Sequence, residues 1–108
     1  MKTTPTPNGM DQENNRLIIT IEGELDASTC MAVDEKLEDA LASNPNAIFI
    51  DCSNLQYISS AGIGVLIAFH HSCKQKAIPL HFCNMRPKVK NVLEILGLDK
   101  LFTLENNL

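Results

Sequence analysis

Two adjacent hydroxyls, Ser59 and Ser60, stand directly before Ala61-Gly62-Ile63-Gly64, a run of small residues opening an apolar stretch. A serine at such a place suits a helix cap, its oxygen accepting one of the orphan backbone N–H groups of the first turn. The small residues behind it leave room for a close neighbour. Asp51 ends the apolar run Ala47-Ile48-Phe49-Ile50. Its side-chain oxygens are expected to brace the loop that follows; a phosphoaspartate centre would need a well-placed acidic pair and a later Lys-Pro, but the acidic pair here is poorly placed and Arg86-Pro87 lacks the lysine. His70 and Cys73 share a helix face and His71 adjoins them, but two ligands fall short of the three or four that a metal centre takes. Core packing is the expectation for them. Cys52 has no cation beside it in sequence to activate its thiol, so it is read as inert.

These groups exclude several functions. A nucleotide hydrolase needs a Gly-rich loop with Lys, and a covalent enzyme needs a nucleophile paired with a base; neither pattern is present, so no catalysis and no cofactor are expected. The 108 residues carry a net charge of −4 with a pI near 5.2. No Lys/Arg cluster is available to neutralise phosphates, which argues against direct nucleic-acid binding and for a protein partner. The longest apolar run, residues 61–69, is far below the ~20 needed to cross a bilayer, so no membrane insertion is expected. Cys30, Cys52, Cys73 and Cys83 form no Cys-x-x-Cys pair, and no leader pattern precedes the domain. Reduced thiols in a cytoplasmic protein are the expectation.

The elements that must position the hydroxyls can be read in order. Residues 1–15, with Pro5, Pro7 and Gly9, suit a flexible tail or an edge strand, leaving 16–108 as one domain. Leu17-Ile18-Ile19 and Ile21 form a β-branched strand ending at Gly23, and an acidic turn follows at residues 22–26. From Ser28 or Thr29, the apolar positions Met31, Val33, Leu37, Ala40 and Leu41 repeat at the helical period until Asn44-Pro45. The short run 47–50 is apolar throughout and reads as a central strand buried on both faces. Ser60 then opens a helix with Ile63, Leu66, Ile67, His70 and Cys73 on one side and Lys74 and Lys76 near its negative end. Residues 79–83 give another strand. Pro87 suits the first position of a third helix whose buried stripe is Val89, Val92, Leu93 and Leu96. Gly97 ends it, and Leu98, Leu101, Phe102 and Leu104 continue as core in either a helical turn or a strand.

Strand and helix alternating in this way predict an α/β fold, a single-layer, mostly parallel (mixed) β-sheet covered by helices. Exposed chemistry in such sheets gathers beyond the carboxyl ends of the strands. Three loops should meet there: residues 22–29, 51–61 and 83–87.

The run from Asp51 to Gly64, Asp-Cys-Ser-Asn-Leu-Gln-Tyr-Ile-Ser-Ser-Ala-Gly-Ile-Gly, resembles the STAS domains of anti-sigma factor antagonists. Their corresponding run reads Asp-Leu-Ser-x-Val-x-x-Ile-Asp-Ser-Ser/Ala-Gly-Leu-Gly. Gly23-Glu24-Leu25-Asp26 looks like the family's Gly-Glu-Leu-Asp, and Val92-Leu93-Glu94-Ile95-Leu96-Gly97-Leu98-Asp99-Lys100-Leu101-Phe102 is similar to its closing segment. The resemblance spans roughly residues 17–102. It implies a STAS-type fold and a partner switch: the unmodified domain binds a kinase-type anti-sigma factor, and phosphorylation of one serine releases it, with a phosphatase as an optional further partner. Ser60 matches the acceptor. Asp26, Ser59, Ala61, Gly62, Ile63 and Gly64 fall on the implied binding face. The chain has Ser59 where the family often has Asp. The alternative within the same resemblance is a constitutive adaptor subunit of a transport or sensory complex, docking through the same residues without phosphorylation.

Overall fold

The computed structural model describes residues 2–11 and 16–106, with side chains from Arg16 onward. Residues 1 and 12–15 of the expected N-terminal segment lie outside the described residues. In chain order the elements are β1 (Lys2–Asp11), β2 (Arg16–Leu25), α1 (Cys30–Ala42), β3 (Ala47–Asp51), β4 (Leu55–Ile58), α2 (Ser60–Gln75), β5 (Leu80–Cys83), α3 (Pro87–Ile95), a 3-10 turn (Leu98–Lys100) and β6 (Thr103–Glu105).

Among the described residues the strands form one sheet in the order β1-β2-β3-β5-β6, with β4 paired to the far end of β2. All pairings are parallel except β1 on β2, where β1 forms the antiparallel edge. An edge is the place in a sheet where prolines such as Pro5 and Pro7 are accommodated. The four strands β2, β3, β5 and β6 succeed one another across the sheet in chain order. Right-handed crossovers therefore place the three connecting helices on the same side.

Burial follows that geometry. Leu17, Ile19 and Ile21 of β2, Ile48 and Ile50 of β3, and Leu80 and Phe82 of β5 are buried. Val33, Leu37, Ala40 and Leu41 of α1, Leu66, Phe69 and Cys73 of α2, and Val89 and Leu93 of α3 close the same core over them. Each such Leu or Ile contributes about 1.5–3 kcal/mol on burial.

Several expectations are corrected. β3 is central but not buried on both faces. Its burial alternates, and Phe49 faces the other side of the sheet, stacked on His81 with centroids 4.5 Å apart and with the Arg16 guanidinium 5.0 Å from its ring. β4 has no signature in the sequence, because Leu55-Gln56-Tyr57-Ile58 buries only its two ends, giving neither alternation nor an apolar run. On α2 the inward positions are Gly62, Leu66, Phe69 and Cys73, while Ile67 is 39% exposed. Leu96, expected in the α3 stripe, is 56% exposed, and Leu101 also lies at the surface; Phe102 of the closing set is buried, and Leu98 and Leu104 pack half-buried against the core. The closing segment is both a helical turn and a strand in succession.

Candidate functional site

The parallel strands end on one side, and the three expected loops meet there through hydrogen bonds. The Ser59 amide donates to the Leu25 carbonyl (2.9 Å), tying the start of α2 to the β2–α1 loop. Further along, the Cys52 amide donates to the Cys83 carbonyl (2.8 Å) and the Arg86 Nε donates to the Ser53 carbonyl (2.8 Å). The β3–β4 loop is thereby held to the loop that starts α3.

Local chemistry explains each turn. Asp26 Oδ1 accepts from the Ser28 amide (2.9 Å) and the Ser28 hydroxyl (2.7 Å), folding the residues before α1. Those bonds hold the Asp26 carboxyl below its ordinary value, the Ser28 hydroxyl contributing most. Thr29 Oγ1 accepts from the Asp26 amide (3.0 Å) and donates to the Glu24 carbonyl (2.9 Å), so it closes the turn instead of capping α1. Asp51 Oδ1 accepts from the Ser53 amide (3.0 Å), the loop brace expected from its position.

At the mouth of α2 the two serines divide their work. Ser59 has extended backbone, and its hydroxyl accepts from the Gly62 amide (3.3 Å), which is N-cap geometry. Ser60 is the first residue of the helix and is exposed. No acidic residue occupies the first turn of α2, so the positive end of the helix dipole faces outward there without an opposing carboxylate from that turn.

The remaining residues of the run do not share one environment. Gly64 is exposed, Ala61 and Ile63 are half-buried, and Gly62 is buried. A Cβ built on Gly62 lies 2.5 Å from the Leu25 carbonyl oxygen, 2.7 Å from Leu25 Cγ and 3.0 Å from Ile58 Cγ1, whereas one on Gly64 meets nothing within 4 Å. Gly62 therefore serves the packing of α2 against β2 and β4 from inside and presents nothing to a visitor. Gly64 lies one turn beyond Ser60 on the open side of the helix.

The other reactive-looking groups sit elsewhere. His70 packs against the Phe102 ring, centroids 5.5 Å apart, and burial, with Lys74 and His71 adding to it, holds its pKa below the ordinary histidine value. Cys52 is fully buried and its thiol is pushed far above physiological pH, mainly by desolvation. Burial raises Cys73 and Cys83 to about 11. Cys30 is half-buried at the start of α1. In native protein at pH 8, Ellman's reagent should therefore titrate one thiol quickly, and Cys30→Ser should remove that fast phase; the other three should react only on unfolding. Two or more fast thiols would contradict the packing described above.

With this geometry established, comparison with known proteins gives the family. Residues 8–108 match the model of the STAS domain, and the chain belongs to that family. The anti-sigma F factor antagonist of Paenibacillus polymyxa is 28% identical over 99 residues, covering 91% of this chain and 85% of its own. Among solved structures, an anti-sigma factor antagonist from Mycobacterium paratuberculosis superposes with a TM-score of 0.82 at 22% identity, covering 99% of this chain and 88% of its own. The anti-sigma factor antagonist SpoIIAA in its unphosphorylated form gives a TM-score of 0.71 at 21% identity over 84% of this chain and 80% of its own; its phosphorylated form gives 0.65 at 20% over 84% and 83%. These neighbours share the fold. Among the described residues, no helix is long and apolar enough to cross a membrane.

Proposed function

We propose that this protein is an anti-sigma factor antagonist, a binding module that engages a kinase-type anti-sigma factor while Ser60 is unmodified and is released when Ser60 is phosphorylated. The observation that carries this reading is the division of labour at α2. Ser59 takes the cap, so the Ser60 hydroxyl is exposed at the first helical position and is not needed to close the helix. The names of the relatives support the role, and SpoIIAA, known in unphosphorylated and phosphorylated forms, supports the means.

The surface that a partner meets comprises Ser60, Gly64 and the half-buried Ala61 and Ile63, with Asp26 on the adjoining loop and Ser59 beneath as the cap. A phosphoryl group there would bring about −1.5 to −2 charges and three acceptor oxygens. The helix N-terminus accommodates such an anion, because unpaired amides and the dipole favour it. Switching then needs no rearrangement of the domain, only a change in what a partner must desolvate. A phosphatase that removes the group would restore binding, and the exchange belongs in the cytoplasm, where the kinase's ATP is available.

Incubating the protein with the anti-sigma factor kinase of its own cell and ATP should add a single phosphate, located at Ser60 by peptide mass spectrometry and abolished by Ser60→Ala. A partner that stays bound regardless of ATP, with Ser60 unmodified, would favour a constitutive adaptor.

A further inference from the structure

We infer that Arg86, at the start of α3, is a positioning residue for the loop that delivers Ser60; the functional half of this inference rests on the role proposed above. Arg86 is 33 residues from Ser53 in the chain, yet its Nε donates to the Ser53 carbonyl at 2.8 Å. The Ser53 amide in turn donates to Asp51 Oδ1 at 3.0 Å. Ser53 is thus gripped on both sides, by a carboxylate at the end of β3 and a guanidinium from the next crossover.

That grip matters because the segment between this loop and the serines is short. β4 has four residues, and its ladder to β2 consists of the pairs Gly23↔Leu55, Glu24↔Tyr57 and Leu25↔Ile58, with a register irregularity after the first. Ser59 and Ser60 follow immediately. A shift of the β3–β4 loop would pass along this short strand to the cap of α2 and displace the exposed hydroxyl from the position a kinase meets. Displacements near 1 Å can cost as much as about 100-fold in rate when a reacting group must be aligned. Arg86 is exposed and lines a groove of about 610 Å³ with Glu24, Gln56, Tyr57, Pro87 and Lys88. The anchor therefore lies on the surface, where its replacement leaves the buried core intact.

Two measurements on the full chain test this. Amide hydrogen exchange requires no partner: Arg86→Ala should accelerate exchange at residues 54–60 by about tenfold while amides of β3 and α1 stay as in the wild type, and Arg86→Lys, whose ammonium can still donate to the Ser53 carbonyl, should recover most of the protection. In phosphorylation by the anti-sigma factor kinase, Arg86→Ala should lower kcat about tenfold with KM within about twofold, again with rescue by Arg86→Lys. Unchanged exchange at 54–60, or an increase spread over the whole domain, overturns the positioning role. Faster local exchange with unchanged kcat overturns its link to the switch. If wild-type Ser60 accepts no phosphate, the proposed function fails, and the exchange result alone still decides whether Arg86 holds the loop.

Discussion

Gly62→Ala should destabilise the domain by about 2 kcal/mol or more, the overpacking cost lying at the upper end of the usual 1–3 kcal/mol and being only partly offset by the roughly 1 kcal/mol that alanine gains over glycine in a helix. The added methyl would sit 2.5 Å from the Leu25 carbonyl oxygen and 2.7 Å from Leu25 Cγ. That carbonyl cannot simply withdraw, because it accepts the Ser59 amide at 2.9 Å and so holds the cap of α2. Relief must come from moving α2 away from β2 and β4, which opens the contacts of Leu66 and Phe69, both fully buried. At about 4 °C per kcal/mol for a domain of this size, the melting temperature should fall by about 8 °C or more. Gly64→Ala is the matched control. Its Cβ meets nothing within 4 Å, so the helical propensity gain of about 1 kcal/mol should appear almost whole. Two identical substitutions two residues apart should thus move the thermal midpoint in opposite directions; a Gly62→Ala protein as stable as the wild type would show that α2 does not approach Leu25 this closely.

That contrast also marks where the sequence was legible. The three helices, the strands β2, β3 and β5, the convergence of the three loops and the brace by Asp51 follow from local rules: β-branched runs, proline and glycine stops, a carboxylate two residues before an amide. The inner face of α2 did not follow from periodicity. Residues 61–69 are apolar nearly all round, so a helical stripe drawn through Ile67 and one drawn through Phe69 fit equally well, and only the sheet beneath selects Phe69. Leu96 and Leu101 read as core because each stands three residues after another leucine, Leu93 and Leu98, yet both lie at the surface. Met31, placed in the apolar repeat of α1, is 82% exposed because it stands only two residues before Val33 and so points away from the face that buries Val33, Leu37, Ala40 and Leu41.

The site divided similarly. Ser60 and Ser59 could be singled out from their place before small residues, with Ser59 the natural cap because Ser60 opens the helix, and the Gly62 amide bonded to the Ser59 hydroxyl agrees. Gly62 and Gly64 look interchangeable in sequence, yet the structure turns one inward and the other outward. The Arg86 bond to the Ser53 carbonyl was not legible, since an arginine beside a helix-starting proline carries no signal of a backbone acceptor 33 positions earlier. Tyr57, exposed on β4 two residues before Ser59, carries no more signal in the sequence than the strand that bears it.

Ser60→Asp should abolish most partner binding while the domain itself remains intact. Within the protein, the new carboxylate lies at the first position of α2, where the dipole favours a negative charge by about 0.3–1 kcal/mol and no acidic residue in the first turn opposes it. Far-UV circular dichroism should be unchanged and the melting temperature equal or slightly higher. At the interface the balance reverses. A partner packed over Ser60, Gly64 and the half-buried Ala61 must strip water from the carboxylate, and a buried charge without a matching group costs about 2–5 kcal/mol. By the relation of 1.4 kcal/mol to a factor of ten, that is a loss of roughly 30-fold to more than 1,000-fold in affinity for the anti-sigma factor. Ser60→Ala separates charge from hydroxyl: it should bind nearly as the wild type does and resist release by ATP. Isothermal titration of the three proteins against the anti-sigma factor reads both effects. Equal affinity for Ser60→Asp would mean that the partner leaves this helix mouth in water, and an unfolded Ser60→Asp chain would mean that the hydroxyl is structural; in either case charge at α2 would not be the switch.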